Sequence, residues 1–113
     1  MPCLPPRLTR RPEYLRAAAR GRKAARPGLV LQALVQPGAP LRVGFTATKK
    51  LGGAVVRNRC KRRLRAAIRH AVEEAPIVGF DLVLIAREAT STRSWDQLLG
   101  DLRGALKQAG VRP

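Results

Sequence analysis

The chain has 113 residues, of which 45% are hydrophobic, and a formal net charge of +16 at pH 7. This length allows one domain with a modest core and excludes two full domains. The hydrophobic fraction is ordinary for a folded protein, so the charge indicates a polyanionic partner, nucleic acid or anionic membrane, rather than disorder. Fifteen Lys and Arg residues and no acid lie between Glu13 and Glu73, so the first two thirds carry the excess charge.

Cysteine and histidine usage predicts neither a disulfide framework nor a metal site. Cys3 and Cys60 are interpreted as reduced thiols, and the single His70 has no companion ligand at a zinc-like interval. No apolar run approaches the roughly 20 residues that a membrane span needs. The N-terminal sequence lacks the apolar core of a signal peptide, so we expect a cytoplasmic protein.

The first 28 residues are predicted to contain one helix and one short extended segment. Residues 1–8 are rich in proline and should be irregular. A helix over about 12–20 begins at Pro12, whose missing N–H costs nothing in a first turn, and Gly21 fits the position after its end. A connector or short strand follows, carrying Arg22, Lys23 and Arg26.

Two strands are predicted over 29–36 and 41–48. Alternate residues give each strand an apolar face, formed by Leu29, Leu31, Ala33 and Val35 in one and by Leu41, Val43, Phe45 and Ala47 in the other. The turn residues at 37–40 favour an antiparallel hairpin with one buried face. Its other face is only half apolar and is free to line a groove.

Residues 49–69 hold nine of the 23 basic residues and no acid. We predict a connection over 49–53 and a helix over about 55–75, stopped by Pro76. At about 100° per residue, its apolar side comprises Cys60, Leu64, Ala67, Ile68, Ala71, Val72 and Ala75. The other side comprises Asn58, Arg59, Arg62, Arg63, Arg65 and Arg69. Arg57 and Lys61 project toward the apolar side, which we interpret as an overhang that lets both reach a ligand from the groove.

The last third reads as a strand and a helix. Residues 80–86 form a near-continuous apolar run, which predicts an interior strand with a parallel neighbour. A polar loop over 90–93 precedes a capping box of Ser94 and Gln97. The closing helix runs to Gly110 with the apolar positions Leu98, Leu102, Ala105, Leu106 and Ala109.

No constellation of residues predicts catalysis by this chain alone. Glu73 and Glu74 are adjacent on a helix and point in different directions, and His70 on the polar side is favoured as a solvated or RNA-facing group over a general base. The turn at 49–53 lacks the wider glycine spacing and following Lys-Ser/Thr of a nucleotide-binding loop. Its lysines are interpreted as phosphate contacts, and no catalytic residue or organic cofactor is predicted.

The central motif resembles the protein subunit of bacterial ribonuclease P. The resemblance rests on 41–45 (LRVGF), 48–52 (TKKLG), Ala54-Val55, Arg57-Asn58-Arg59, Lys61-Arg62 and Arg65. Outside it, Arg7-Leu8, Glu13-Tyr14, Gly21 and 81–87 also fit, so the resemblance covers about residues 7–109. It implies an α+β two-layer sandwich of order αβββαβα, like the second domain of ribosomal protein S5. The basic helix would form a left-handed βαβ crossover, which is rare.

The same resemblance implies a function and its residues. The holoenzyme removes the 5′ leader of precursor tRNA, and a large RNA with Mg²⁺ does the chemistry. The catalytic RNA would be bound by Lys49, Lys50, Arg57, Asn58, Arg59, Lys61, Arg62 and Arg65, with Arg69 on the same arginine-rich side. The leader would lie in a groove lined by Tyr14, Val30, Gln32, Thr46 and Thr48.

The role of Tyr14 in the predicted groove and the partner of the basic surface each have alternatives. Family members often have further aromatic residues where this chain has Ala18, Leu29 and Gln32, so only Tyr14 remains for base stacking; it either stacks or packs on the sheet. A basic structural RNA-binding protein of ribosomal or nucleoid type would use the same surface without a holoenzyme. A membrane-surface helix is disfavoured because Leu64 and Ile68 are its only large apolar residues.

Overall fold

The computed structural model of the chain describes residues 6–111. They form three α-helices and four β-strands in the order αβββαβα, with two short 3₁₀ turns. The helices are α1 (Arg11–Arg20), α2 (Ala54–Glu74) and α3 (Trp95–Gln108), and the strands are β1 (Arg22–Arg26), β2 (Leu29–Pro40), β3 (Arg42–Thr46) and β4 (Val78–Ala86). The predicted α+β class and element order are confirmed. Residues 1–5, predicted to be irregular, lie outside the described residues.

The four strands form one sheet in the order β1-β2-β4-β3. The predicted hairpin of β2 with β3 is wrong, because β4 lies between them, antiparallel to β2 and parallel to β3. The hairpin is instead formed by β1 and β2. Strand β4 takes the interior place because both its faces are apolar: Leu82 and Leu84 are buried on one and Val83 on the other. This confirms the predicted interior strand with a parallel neighbour, while the hand of the β3–α2–β4 crossover stays a prediction.

The segment 37–40, predicted to be a turn, is the far end of β2. Its pairing with β4 is irregular between Val35 and Pro40, and Gly38 has a φ of 78°. Proline has no N–H to donate to a neighbouring strand, and Pro37 lies in the stretch where the pairing is interrupted. Pairing resumes at Pro40, opposite Val78.

Helices α2 and α3 cover one face of the sheet and form the main core with it. The buried residues of α2 are those predicted from its periodicity, namely Cys60, Leu64, Ala67, Ile68 and Ala71. Ala75 is exposed because α2 ends at Glu74, before Pro76. The capping box of α3 is confirmed by a 3.2 Å hydrogen bond from Gln97 N to Ser94 Oγ. Among residues 6–111, no helix combines the length and apolar composition needed to cross a membrane.

Helix α1 covers part of the opposite face. Its Ala17 is fully buried and packs with Leu8 and Val83 in a second, smaller core. Gly21 directly follows the last residue of the helix, and its φ of −73° is accessible to any residue. Glycine is required there by close packing instead, since a β-carbon would lie 2.5 Å from the carbonyl oxygen of Ala17.

The segment before α1 lies along the outer edge of β3. Leu8 N donates to Val43 O at 3.0 Å, and Val43 N donates to Pro6 O at 2.9 Å. Residues 6–8 form no helix or strand, in line with the predicted irregular segment, although Arg7 makes an isolated bridge to Val43. Pairing with this segment satisfies the Val43 amide and carbonyl, which an edge strand would otherwise leave open.

Candidate nucleic-acid interface

The turn before α2 holds two lysines at the N-terminal end of the helix. Lys49 and Lys50 are exposed in the 3₁₀ turn Lys49–Leu51. Gly52 has a φ of 134°, a conformation that residues with a β-carbon rarely adopt. The unpaired N–H groups and positive end of the helix add to the lysine charges. The turn therefore forms an anion-attracting corner.

Beyond this corner, one side of α2 forms a continuous basic surface, here called the arginine face and made up of Asn58, Lys61, Arg62, Arg65 and Arg69. These residues line two adjoining hollows of about 450 Å³ and 150 Å³ that share Arg62 and Arg65. No acidic residue in the described part of the chain lines either hollow. The arginine face is therefore shaped and charged for a polyanion.

Two predicted arginines differ in role from these. Arg63 donates from Nη1 to the Thr90 carbonyl oxygen at 2.8 Å and from Nη2 to that of Arg93. It thus ties α2 to the loop before α3, so the prediction that it faces solvent with the other arginines is wrong. Arg59 is exposed but lines neither hollow of the arginine face.

Lys61 and Arg57 lie on the flank of α2 that turns toward β3. Lys61 is half-buried and lines both the 450 Å³ hollow and a smaller one shared with Tyr14 and Phe45. Lys61 thus extends toward the Tyr14 end of the predicted groove, and its reach to a ligand there stays a prediction. Arg57 is half-buried, and its Nε has no hydrogen-bond partner.

The predicted groove corresponds to the part of the sheet that α1 leaves open. Val30, Ile85 and Thr46 are paired neighbours on β2, β4 and β3, and all three are half-buried. They form one row across the sheet. Gln32 lies in the next row and is 8% exposed, while Thr48 is exposed beyond the end of β3. The structure thus brings Val30 and Thr46 together and leaves the other two at the margins.

Tyr14 packs on the sheet. A β-carbon at Gly44 would lie 2.6 Å from a carbon of the tyrosine ring. The phenol hydroxyl donates to the Leu8 carbonyl oxygen at 3.0 Å. Of the two alternatives for Tyr14, packing is the arrangement that the structure shows.

An ion-pair network anchors α1 and the segment before it. Arg42 donates to both oxygens of Asp81, from Nε at 2.9 Å and from Nη2 at 2.7 Å, and pairs with Glu13 through Nη1. The Glu13 carboxylate also accepts from Arg10 N at 3.0 Å and Thr9 N at 3.2 Å. The pKa of Glu13 is lowered chiefly by the hydrogen bond from the Arg10 N–H, and further by the Thr9 N–H and the positive charge of Arg42. Hydrogen bonding to Asp81 raises the pKa of Arg42.

Comparison with known proteins decides the family. The family model for ribonuclease P matches residues 5–110.

The chain belongs to the ribonuclease P protein family.

Relatives and solved structures agree with this membership. The ribonuclease P protein component of Gluconacetobacter diazotrophicus is 56% identical over 107 residues, which cover 94% of this chain and 92% of the relative. That of Paramagnetospirillum magneticum is 46% identical over 110 residues, covering 93% and 83%. The Staphylococcus aureus RNase P protein superimposes with a TM-score of 0.78 at 28% identity, covering 93% of this chain and 95% of that one. The Thermotoga maritima RNase P protein gives 0.77 at 26%, covering 90% and 96%. Family and fold together support the function of a ribonuclease P subunit in tRNA processing.

Two residues near the candidate site, Ile85 and Arg7, were not predicted from the sequence to be part of it. Ile85 completes the row of the groove, and the alternation of Asp81, Val83 and Ile85 along β4 was the signal that could have found it. Arg7 lies beside Phe45 at the edge of β3, and only the Arg7-Leu8 match pointed to that segment. Within residues 6–111, no group of three or more His, Cys, Asp or Glu side chains is placed to hold a metal ion.

Proposed function

We propose that this chain binds the catalytic RNA of ribonuclease P and the 5′ leader of precursor tRNA, and so promotes removal of the leader. The observation that carries the proposal is the acid-free basic surface of α2 beside an open, partly apolar row of the sheet. A folded RNA offers phosphates at many positions, and a single-stranded leader offers exposed bases. The two surfaces suit these two chemistries.

The arginine face and the preceding turn are the proposed site for the catalytic RNA. Guanidinium groups donate in a planar fork that matches phosphate oxygens, and lysines act as point charges. Phosphate contacts position a protein on RNA without selecting sequence. The proposed residues are Lys49, Lys50, Arg57, Asn58, Arg59, Lys61, Arg62, Arg65 and Arg69.

The proposed leader site is the row of Val30, Ile85 and Thr46 with its margins at Gln32, Thr48 and Tyr14. No aromatic residue lies in this row, and base–aromatic stacking commonly contributes about 1–3 kcal/mol per base. Contact with small apolar side chains discriminates poorly between bases. We therefore expect a weak sequence preference in the leader and a large share of binding through the phosphates.

The chemical step is assigned to the RNA subunit. We expect Mg²⁺ to be held mainly by RNA phosphates, and the cleavage to occur there, with the protein supplying affinity and orientation. The expected compartment is the cytoplasm. A purely structural role, of ribosomal or nucleoid type, remains the alternative that the experiment must exclude, and no comparison favours it.

Reconstitution tests the proposal. The purified chain is added to its cognate ribonuclease P RNA at an Mg²⁺ concentration too low for the RNA alone, and cleavage of precursor tRNA is measured. We expect the chain to restore accurate 5′ cleavage and to lower the KM more for substrates with a long leader than for those with a single leader nucleotide. RNA binding without restored cleavage would favour the structural alternative.

A further inference from the structure

A separate hollow of about 180 Å³ opens at the outer edge of β3. Its walls come from three parts of the chain: the segment before α1, β3 and α2. Arg7 and Thr9 line it on one side and Lys61 on the other, and Phe45 and Tyr14 contribute its aromatic surface. It therefore differs both from the arginine face and from the open row of the sheet.

Cations converge here on one aromatic ring. The guanidinium carbon of Arg7 lies 5.8 Å from the centroid of the Phe45 ring, and that of Arg65 lies 5.7 Å from it. Both distances are within the range of cation–π attraction. Both arginines therefore interact with the Phe45 ring, which carries no charge to neutralise them. Of these cations, Arg7 lines the hollow together with Lys61.

These cations have no acidic partner among residues 6–111. The ion pairs of the structure involve Arg42, Arg93, Arg103 and His70, and none involves Arg7, Lys61 or Arg65. The Nε of Arg65 is also buried without a hydrogen-bond partner. Arg7 and Lys61 line the same partly enclosed hollow. Like charges in such a space repel, so the arrangement favours an anion between these two side chains.

The wall formed by residues 7–9 is held in place by backbone hydrogen bonds. Leu8 is bonded to Val43 across the edge of β3, and the Thr9 N–H is bonded to the Glu13 carboxylate. The Tyr14 hydroxyl donates a further hydrogen bond to the Leu8 carbonyl oxygen. The hollow is thus formed before any ligand arrives, which lowers the entropic cost of binding.

Size and position indicate which anion fits. At roughly 30 Å³ per liquid water, the 180 Å³ volume corresponds to about six waters, which suffices for a phosphate group with part of its hydration. The guanidinium of Arg7 can donate in a fork, Lys61 supplies a point charge and Thr9 a hydroxyl. Lys61 also lines the 450 Å³ hollow of the arginine face, so a bound phosphate would continue the path of an RNA backbone.

We propose that Arg7, Thr9 and Lys61 form a pocket for one RNA backbone phosphate, at the junction between the arginine face and the Tyr14 end of the leader groove. The inference rests on the proposed function only in naming RNA as the source of the phosphate. That phosphate belongs either to the catalytic RNA or to the leader, and the two sources are separable by experiment.

The test compares Arg7→Gln and Thr9→Val with Lys107→Gln. Lys107 is exposed near the end of α3 and lines none of these hollows, so its substitution controls for the loss of one charge. In one arm, the affinity of each variant for the catalytic RNA is measured against KCl concentration. In the other arm, the holoenzyme is assembled with saturating protein, and its affinity is measured for precursor tRNA with a one-nucleotide leader and with an eight-nucleotide leader.

The possible outcomes decide whether the phosphate pocket exists and which RNA supplies the phosphate. A drop of about 0.7–0.9 in the salt slope of Arg7→Gln, one phosphate's worth of released counterions, assigns the phosphate to the catalytic RNA. A severalfold loss of affinity only for the long leader assigns it to the leader. If Arg7→Gln matches Lys107→Gln in both arms while the wild-type holoenzyme cleaves normally, the pocket is refuted and the proposed function stands.

A titration of the free protein keeps the pocket testable if reconstitution fails. Inorganic phosphate is added at constant ionic strength, and the backbone amide resonances of Arg7, Thr9 and Lys61 are followed by NMR. We expect saturable shifts in the wild type that are lost in Arg7→Gln. Equal responses in the two proteins would overturn the pocket independently of any RNA.

Discussion

The ring of Tyr14 lies directly on the backbone of Gly44. A β-carbon at residue 44 would come within 2.7 Å of two ring carbons of Tyr14 and of its hydroxyl oxygen. Gly44 of β3 is the pairing partner of Val83 in β4. The contact between Tyr14 and Gly44 therefore sets how closely α1 approaches the sheet beside the open row. We therefore expect the stability of the protein to depend on the absence of a side chain at residue 44.

Gly44→Ala is therefore expected to destabilise the protein by about 1–3 kcal/mol, the usual cost of forcing extra volume into a packed site. The free energy of unfolding is measured by urea denaturation. Gly100→Ala is the matched control, because Gly100 lies within α3 and a β-carbon there meets no atom within 4 Å. That variant should be neutral or more stable by up to about 1 kcal/mol. Equal effects of the two substitutions would contradict the contact.

Arg42→Ala should be costly because it removes the partner of a buried carboxylate. Asp81 is 1% exposed and receives two hydrogen bonds from Arg42. Leaving such a charge unpaired costs about 3–5 kcal/mol. Because the arginine is partly exposed, we expect a loss of about 3 kcal/mol. Arg103→Ala breaks an exposed pair with Glu74 and should cost about 0–1 kcal/mol. Both values come from chemical denaturation at neutral pH, and similar losses would argue against the network.

The Glu13 carboxylate makes part of the stability depend on pH. Its pKa is lowered from 4.5 by the Arg10 N–H and its other partners, so the carboxylate stabilises the native state above about pH 4.5. That contribution is lost as the pH falls through the lower native pKa. The stability difference between wild type and Glu13→Gln, measured by urea denaturation from pH 7 to pH 3, should therefore shrink toward acid pH. A difference that stays constant would show that Glu13 contributes no ionic stabilisation.

Arg62 and Arg63 are adjacent, yet their substitution should have opposite consequences. Arg62→Ala removes an exposed guanidinium of the arginine face, so RNA affinity and its salt slope should fall while stability stays within about 0.5 kcal/mol. Arg63→Ala leaves the carbonyls of Thr90 and Arg93 without their donor and should cost about 1–3 kcal/mol in unfolding free energy. Its salt slope for RNA should match that of the wild type. Filter binding over a KCl series and urea denaturation of the same variants separate the two effects. A reduced salt slope for Arg63→Ala would instead indicate that Arg63 contacts the RNA.

Periodicity along the chain determined the elements and their faces. The buried side of α2, centred on Leu64 and Ile68, follows from the 3.6-residue repeat of a helix, and the central place of β4 follows from a run that is apolar on both faces. The central motif, with Arg57-Asn58-Arg59 in it, pointed to the family. These features are local, because backbone geometry alone sets which side chains share a face.

Tertiary structure decided what lies across from each face. The alternating sequences of β2 and β3 do not indicate which strand pairs with which. Strand β4 lies between them in the sheet, although it begins at Val78, 32 positions after β3 ends at Thr46. Tyr14 meets Gly44 only because α1 folds back over the sheet. Arg62 and Arg63 are indistinguishable by residue type. Only the position of the loop at Thr90 decides that Arg63 is bonded within the protein while Arg62 stays exposed. Such partners are distant in sequence, so packing of the whole chain selects them.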